Sequence, residues 1–273
     1  GGNLYVTGYF YKYNGGYANF SNGNCNVYYN YYNYGTSGET RVDGGELNVG
    51  YISTSHEFRN YNGKLYVTSG NMDCGRYLYN YNGYSSNYVN ITGGNVYADR
   101  IPNYEGRIYH SGGILTSNGY YREYDSGGGN YYGSGTAVFN FNGGSYIRLM
   151  KSGSYFNDVN IKGNYYIESS STQSLNINGD IVIYSGNSFD SNGKNIYVAG
   201  SWTNNGSYIH DNNTVTFDGS SASRILGSSN TVFYNLTLNS TNSSYNALEN
   251  GTGNTNGLMI KILNNLTISD GSF

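Results

Sequence analysis

One tetrapeptide, Asn60-Tyr61-Asn62-Gly63, keeps returning along the chain and constrains any fold it can adopt. It recurs as Asn80-Tyr81-Asn82-Gly83 and Asn103-Tyr104-Glu105-Gly106, more loosely as Glu123-Tyr124-Asp125-Ser126, and again as Asn140-Phe141-Asn142-Gly143. Lys12-Tyr13-Asn14-Gly15 is an earlier copy. From Tyr61 onward the aromatic position advances by 20, 23, 20 and 17 residues. Each copy reads as the end of a strand with an inward or stacked aromatic, followed by an Asn-Gly-type turn that tolerates positive φ. A strand-and-turn unit returning about every twenty residues predicts a solenoid, a chain that coils on itself.

Composition separates this reading from a disordered polar tract. Only 11% of the 273 residues are charged, and much of the 37% hydrophobic content is the 35 tyrosines, so a large aliphatic core is not available. The chain nevertheless has 1 Pro, and β-branched and aromatic residues alternate with polar ones as half-buried strands require. The net charge of −3 and the lack of a basic run argue against nucleic acid as a partner. The longest uncharged stretches are full of Asn, Ser and Gly, so no membrane span is expected. No signal peptide is seen at Gly1, which leaves a mature or truncated product open. A surface polar but weakly charged is common in extracellular fibres and cell-surface layers.

In chain order, Leu4-Tyr5-Val6-Thr7 precedes Tyr9, Tyr11 and Tyr13 on one strand face and a turn at Gly15-Gly16. The block returns as Leu65-Tyr66-Val67-Thr68, then Tyr77, Tyr79, Tyr81 and the turn at Asn82-Gly83. If coils stack, such rows form tyrosine ladders about 4.8 Å apart. Cys25 to Gly45, with the run Tyr28–Tyr34, is the least regular segment; alternation resumes at Leu47, Val49 and Tyr51. Short strands are expected at Val89–Ile91, Asn95–Tyr97, Arg107–Tyr109, Gly113–Leu115, Ala137–Phe141, Tyr146–Leu149, Val159–Ile161, Ile181–Ile183 and Ile196–Val198. No segment has helical periodicity.

A longer repeat overlies the short one. Phe139-Asn140-Phe141-Asn142-Gly143 matches Val215-Thr216-Phe217-Asp218-Gly219 at an offset of 76, as Arg148 matches Arg224. Phe156–Ile161 matches Phe233–Leu238 at 77, which indicates an internal duplication of several coils. Beyond residue 200 only Tyr208, Tyr234 and Tyr245 remain of the tyrosines. The expected organisation is therefore Tyr/Gly/Asn-rich coils over 1–198 continuing into Asn/Ser/Thr-rich coils over 199–273, with no linker.

The segments Gly200-Ser201-Trp202-Thr203-Asn204-Asn205-Gly206-Ser207, Thr214–Gly219, Phe233–Leu238 and Asn265-Leu266-Thr267-Ile268 resemble the repeat of secreted β-helical adhesin-like proteins of bacteria and archaea. The resemblance covers 199–268 and, through the duplication, weakly 135–161. It implies a parallel β-helix, export and a cell-surface or matrix role. The Tyr-rich first half departs from that pattern.

The residues offer little for catalysis. Some β-helices cleave polysaccharides, which calls for paired carboxyls or acids clustered with Arg or Lys. The acids here are scattered, and the best cluster, Glu39, Arg41, Asp43 and Glu46, reads as a surface ion-pair network. His56, His110 and His210 are far apart and lack metal-ligand spacing. Gly127-Gly128-Gly129 reads as a wide turn. No catalytic, cofactor-binding or metal site is expected. Cys25 and Cys74 lie 12 and 13 residues after Tyr13 and Tyr61, which suggests one phase of the coil. If the 48 residues from Tyr13 to Tyr61 make two coils, the gap of nearly 10 Å excludes a disulfide; one coil would predict it. The regular period favours two coils and two buried thiols. Asn-x-Ser/Thr sequences begin at Asn19, Asn90, Asn205, Asn212, Asn235, Asn239, Asn242, Asn250 and Asn265. Those beyond residue 200 are glycosylation candidates in an exported chain, and an inward amide ladder is the rival role.

Together these features predict an all-β, right-handed parallel β-solenoid of about a dozen coils, each of roughly 20–25 residues. The expected function is a structural extracellular subunit assembling head to tail with copies of itself through Leu4, Tyr5, Val6, Leu266 and Ile268. An adhesin stalk binding glycans with its aromatic face, or a polysaccharide-degrading β-helix, are the alternatives.

Overall fold

The structure, a computed structural model, describes residues 2–50, 55–81, 88–125, 129–240, 248–250 and 259–270. It is an all-β parallel solenoid of about 10 turns, against the dozen expected. Among the described residues the strands pair in parallel, as stacked coils require, with isolated antiparallel bridges at Tyr34–Asn62 and Glu57–Gly75. By internal contact the chain divides into two units, residues 1–139 with 150–154, and residues 140–149 with 155–273. The compositional change at residue 199 falls inside the second.

Each coil of the first unit visits three faces. The first stacks Gly2–Val6, Gly23–Val27, residues 46–49, residues 71–73, Asn95–Ala98 and Ile114–Ser117. The second stacks Phe10–Lys12, Tyr31–Tyr34, Phe58–Tyr61, Leu78–Tyr81, Ile101–Asn103 and Tyr121–Glu123. The third stacks Tyr17–Phe20, residues 39–42, residues 64–67, Tyr88–Ile91, Arg107–His110 and Tyr131–Gly133. Side chains alternate in and out along each strand. Inward positions in register therefore form columns, such as Leu4, Cys25, Leu47 and Met72, or Leu65, Val89 and Ile108.

These columns correct two expectations. Leu4 shares its column with Met72, whereas Leu65 pairs with Thr40, so the two Leu-Tyr-Val-Thr blocks occupy different faces despite identical spelling. Tyr31–Tyr34, within the run expected to be irregular, is an ordered strand in register with Phe58–Tyr61.

The second unit has the same logic. Asp158–Ile161, Ile181–Ile183, Trp202–Asn204 and Ser223–Gly227 form one sheet. Tyr146–Arg148, Tyr165–Ile167, Ser188–Asp190 and Ser207–Ile209 form another. Leu175–Ile177, Ile196–Val198, Thr214–Phe217, Thr231–Asn239 and Ile260–Asp270 form the third. Trp202 anchors the core, edge-on to Tyr208 at 4.7 Å and to Phe233 at 5.5 Å. The duplication advances by one face: Asp158–Ile161 stands in the sheet of Trp202–Asn204, while its counterpart, residues 235–238, stands in that of Thr214–Phe217. Asn140-Phe141 is likewise a false member of the short repeat. Its Phe141 is buried against Tyr165 at 5.1 Å, and Asn140 accepts a hydrogen bond from Asn160 at 2.9 Å.

Candidate functional site

The second face of the first unit carries the most distinctive chemistry, and alternation along its strands explains why. In Phe58-Arg59-Asn60-Tyr61 the first and third residues point inward and the second and fourth outward. Leu78-Tyr79-Asn80-Tyr81 and Tyr31-Tyr32-Asn33-Tyr34 repeat the pattern. Stacking converts it into two layers, a buried polar column and an external column of rings.

The buried column runs in register through Lys12, Asn33, Asn60, Asn80, Asn103 and Glu123. Asn33 Nδ2 donates to Asn60 Oδ1 at 2.7 Å, Asn60 to Asn80 at 3.1 Å, and Asn80 to Asn103 at 2.9 Å. Asn103 Nδ2 donates onward to the Gly129 carbonyl at 2.7 Å. The amide dipoles thus point one way. Their carbonyl end lies toward the coil of Lys12, and their N–H end toward the coil of Glu123. A cation and an acid stand at the electrostatically matching ends, as charged residues do at helix termini. Lys12 is nearly enclosed, and its Nζ and Asn33 Oδ1 have no hydrogen-bond partner. Burial lowers the Lys12 pKa to about 8, against the pull of Glu39. Glu123 accepts the backbone N–H groups of Met150 and Lys151 at 3.0 Å each and the Tyr121 hydroxyl at 3.1 Å. Its burial still raises its pKa.

Gly63 and Gly106 close over this column. A Cβ at Gly63 would come within 2.4 Å of the Asn33 amide nitrogen, and one at Gly106 within 2.4 Å of that of Asn80. The glycine of the repeat is thus demanded by close approach to an Asn one coil earlier. The positive φ expected of the turn falls on Asn62 instead. The turn at Asn82-Gly83 lies outside the described residues.

The external column holds Tyr13, Tyr34, Tyr61, Tyr81, Tyr104 and Tyr124. Tyr13, Tyr34 and Tyr61 stack with interplanar angles of 10° and 9°, and Tyr104 stacks on Tyr124 at 3.8 Å. Beside it Tyr11 stacks on Tyr32 at 4.8 Å. Arg59 then lies over Tyr32 and Tyr79, at 5.6 and 5.4 Å from the ring centres, and Arg122 lies 4.3 Å over Tyr124. Arg59 Nε donates to the buried carboxylate of Glu57. Burial opposes the Arg59 charge, but the hydrogen bond and charge of Glu57 outweigh it and hold its pKa above the ordinary value. At Tyr81 the stack is interrupted: its plane is turned 64° from Tyr61 and 65° from Tyr104. A depression of about 480 Å³ opens there, lined by Arg59, Tyr61, Tyr79, Tyr81 and Tyr104.

The other sequence candidates stay apart. Arg41 pairs with Glu39 at 3.6 Å and lies 4.5 Å over Tyr66, while Asp43 accepts the hydroxyls of Thr68 and Ser69, which lower its pKa. His56 contacts Asn30 Oδ1 at 3.2 Å, and His210 accepts the Asn212 N–H at 3.1 Å. Buried His110 donates from Nε2 to the Gly113 carbonyl at 3.2 Å, so its Nδ1 accepts the Tyr131 hydroxyl at 2.6 Å. Among the described residues no group of three acids, His or Cys could hold a metal, and no helix is long and apolar enough to cross a membrane. Cys25 and Cys74 are free and buried, and Tyr13–Tyr34–Tyr61 spans two coils. Leu47 and Met72 occupy the Cys25 column, so Cys74 does not share its phase. Of the sequon residues, Asn19, Asn212, Asn239 and Asn265 are exposed. Asn205 accepts from Ser228 and Asn235 donates to Thr214. Asn242 and the Asn250 side chain lie outside the described residues. The repeat read from the sequence aligns Lys12 and Glu123 with Asn60, Asn80 and Asn103 but omits Asn33, and it did not show that these first positions form one buried column.

No protein family, curated protein or solved structure was found to match the chain.

Proposed function

We propose that the chain is a non-catalytic structural subunit of an extracellular or cell-surface fibre whose coils stack on those of a second copy. One observation carries this reading: the outermost strands continue inward apolar columns that are left uncovered. Leu4 is 52% exposed on Gly2–Val6, although Cys25 and Leu47 in its column are buried, and Tyr5 beside it, in register with Asn26, is 51% exposed. Val6, half-buried, continues the buried pair Val27 and Val49. On Ile260–Asp270, Leu266 and Ile268 are 47% and 50% exposed, whereas their partners Leu236 and Leu238 are fully buried. Such edges are templates for a further parallel strand. Either an additional coil of a longer chain or a second copy satisfies them. The polar, weakly charged composition and the adhesin-like repeat support a place outside the cell, where Asn205, Asn212, Asn235, Asn239, Asn242, Asn250 and Asn265 would be glycan candidates.

Electron microscopy of the purified chain tests the proposal. Filaments with a repeat of about 4.8 Å along the axis are expected, together with their loss when Leu4, Tyr5, Leu266 and Ile268 are changed to Lys. Monomeric particles, or filaments indifferent to those changes, would overturn it. A second reading, an adhesin stalk, is favoured by the tyrosine and arginine face.

A further inference from the structure

We propose that the depression lined by Arg59, Tyr61, Tyr79, Tyr81 and Tyr104 binds pyranose rings of a neutral oligosaccharide. The inference gives a site and a ligand class to the adhesin reading, and it holds whether or not the chain polymerises.

Tyr13, Tyr34 and Tyr61 stack face to face, as do Tyr104 and Tyr124, so those paired faces are used within the protein. At Tyr81 the plane turns by 64° and 65°, and this ring remains 43% exposed. On that side Tyr61 has only the edge contact with Tyr81, while Tyr104 keeps its parallel stacking on Tyr124 at 3.8 Å. Tyr79 and Tyr104 lie within 15° of parallel at 6.0 Å, which supplies a broad wall of similar orientation. An aromatic face carries partial negative charge, and the axial C–H bonds of a pyranose present partial positive charge over a similar area. The volume of about 480 Å³ falls within the usual range for small-ligand sites, roughly 300–1,000 Å³.

Polar groups fix the ligand class. Arg59 is the cation of the depression, and its charge is already met by Glu57. A uronate or sulfated sugar would have to compete with that buried carboxylate, so the site favours an uncharged ring. Arg59 Nη1 reaches the Tyr61 hydroxyl at 3.3 Å, a long contact that leaves donors to share with ligand hydroxyls. Burial raises the Tyr79 pKa, so its phenol stays protonated and able to donate.

Isothermal titration with cellohexaose, chitohexaose and mannohexaose tests this, with hexagalacturonate as the acidic control. At least one neutral hexasaccharide is expected to bind saturably and more tightly than hexagalacturonate. Tyr79→Ala and Tyr104→Ala should each weaken it about tenfold or more, the scale of one lost stacking contact. Tyr13→Ala, outside the depression, should leave binding unchanged. All three rings point outward, and circular dichroism confirms that the variants keep the fold. Absence of binding by every neutral hexasaccharide, preference for hexagalacturonate, or wild-type affinity in both groove variants would overturn the proposal. Microscopy of the same samples reads assembly separately, so intact filaments without sugar binding would count against the groove alone. An adhesin whose sugar affinity survives both groove substitutions would keep the second reading and lose this site.

Discussion

Asn60 donates to one coil and accepts from another, and no other side chain type does both at this length without a charge. Asn60→Ala removes an acceptor of Asn33 Nδ2, which keeps the Lys64 carbonyl, and the donor to Asn80 Oδ1, in a buried setting where each orphaned group costs about 1–3 kcal/mol. A loss of about 2–4 kcal/mol in urea unfolding is expected. Gly63→Ala acts on the same contact from above, and about 1–3 kcal/mol is expected from overpacking. That cost should shrink in an Asn33→Ala background, because the clash is with the Asn33 amide; additive losses would contradict the interlock. His110 makes the residue scale pH-dependent. Burial lowers its pKa from 6.5 to about 4. Between those values the unfolded chain binds the proton and the folded chain does not, so stability falls as pH drops. The wild type should lose about 1–3 kcal/mol more than His110→Gln between about pH 7 and about pH 4.5, measured by urea midpoints.

Single strands show what could be read from sequence and what could not. Alternation along Phe58–Tyr61 and Leu78–Tyr81 is local, so the strands, their faces and the twenty-residue period were legible. Register is not local. The Leu-Tyr-Val-Thr blocks look equivalent, but their columns are decided by the coil lengths between them; successive members of the Asn column lie 27, 20 and 23 residues apart. The same variability hid Asn33 in a tyrosine run and made Asn140-Phe141 look like a copy. The Asn-Gly pair was read as turn chemistry because a turn is the usual reason for glycine. Here the reason at Gly63 is an amide in the preceding coil, which only stacking reveals. The cysteines give this scale its test. Cys25 on Gly23–Val27 and Cys74 beyond Lys64–Asp73 are buried, and burial raises the Cys25 pKa to about 11 and holds that of Cys74 well above the ordinary thiol value. Alkylation by iodoacetamide at neutral pH should therefore follow opening of these strands, with the same denaturant midpoint as circular dichroism. Rapid labelling of the native protein would show that the columns are open.

At the scale of the whole molecule, stacked coils make stability a sum of neighbour terms, because each coil pairs only with the coils before and after it. A polar column such as Lys12 to Glu123 can then stand beside the apolar ones, since amide hydrogen bonds link Asn33, Asn60, Asn80 and Asn103 coil to coil and its end charges match its dipole. In a chain with 11% charged residues it supplements the inward Val, Leu, Ile and aromatic side chains that make up most of the buried interior. The same arithmetic limits how far damage spreads. The 1 Trp of the chain, Trp202, belongs to the second unit and is fully buried against Tyr208 and Phe233. If coupling runs through neighbours, Asn60→Ala should lower amide-exchange protection in the strands bearing Asn33, Asn80 and Asn103. The unfolding midpoint read by Trp202 fluorescence should move by less than about 0.5 kcal/mol, the usual tolerance for independent sites. A Trp202 transition that fell by the full cost of the Asn60 change would mean that the coils unfold as one cooperative body, and the neighbour-by-neighbour account of this solenoid would fail.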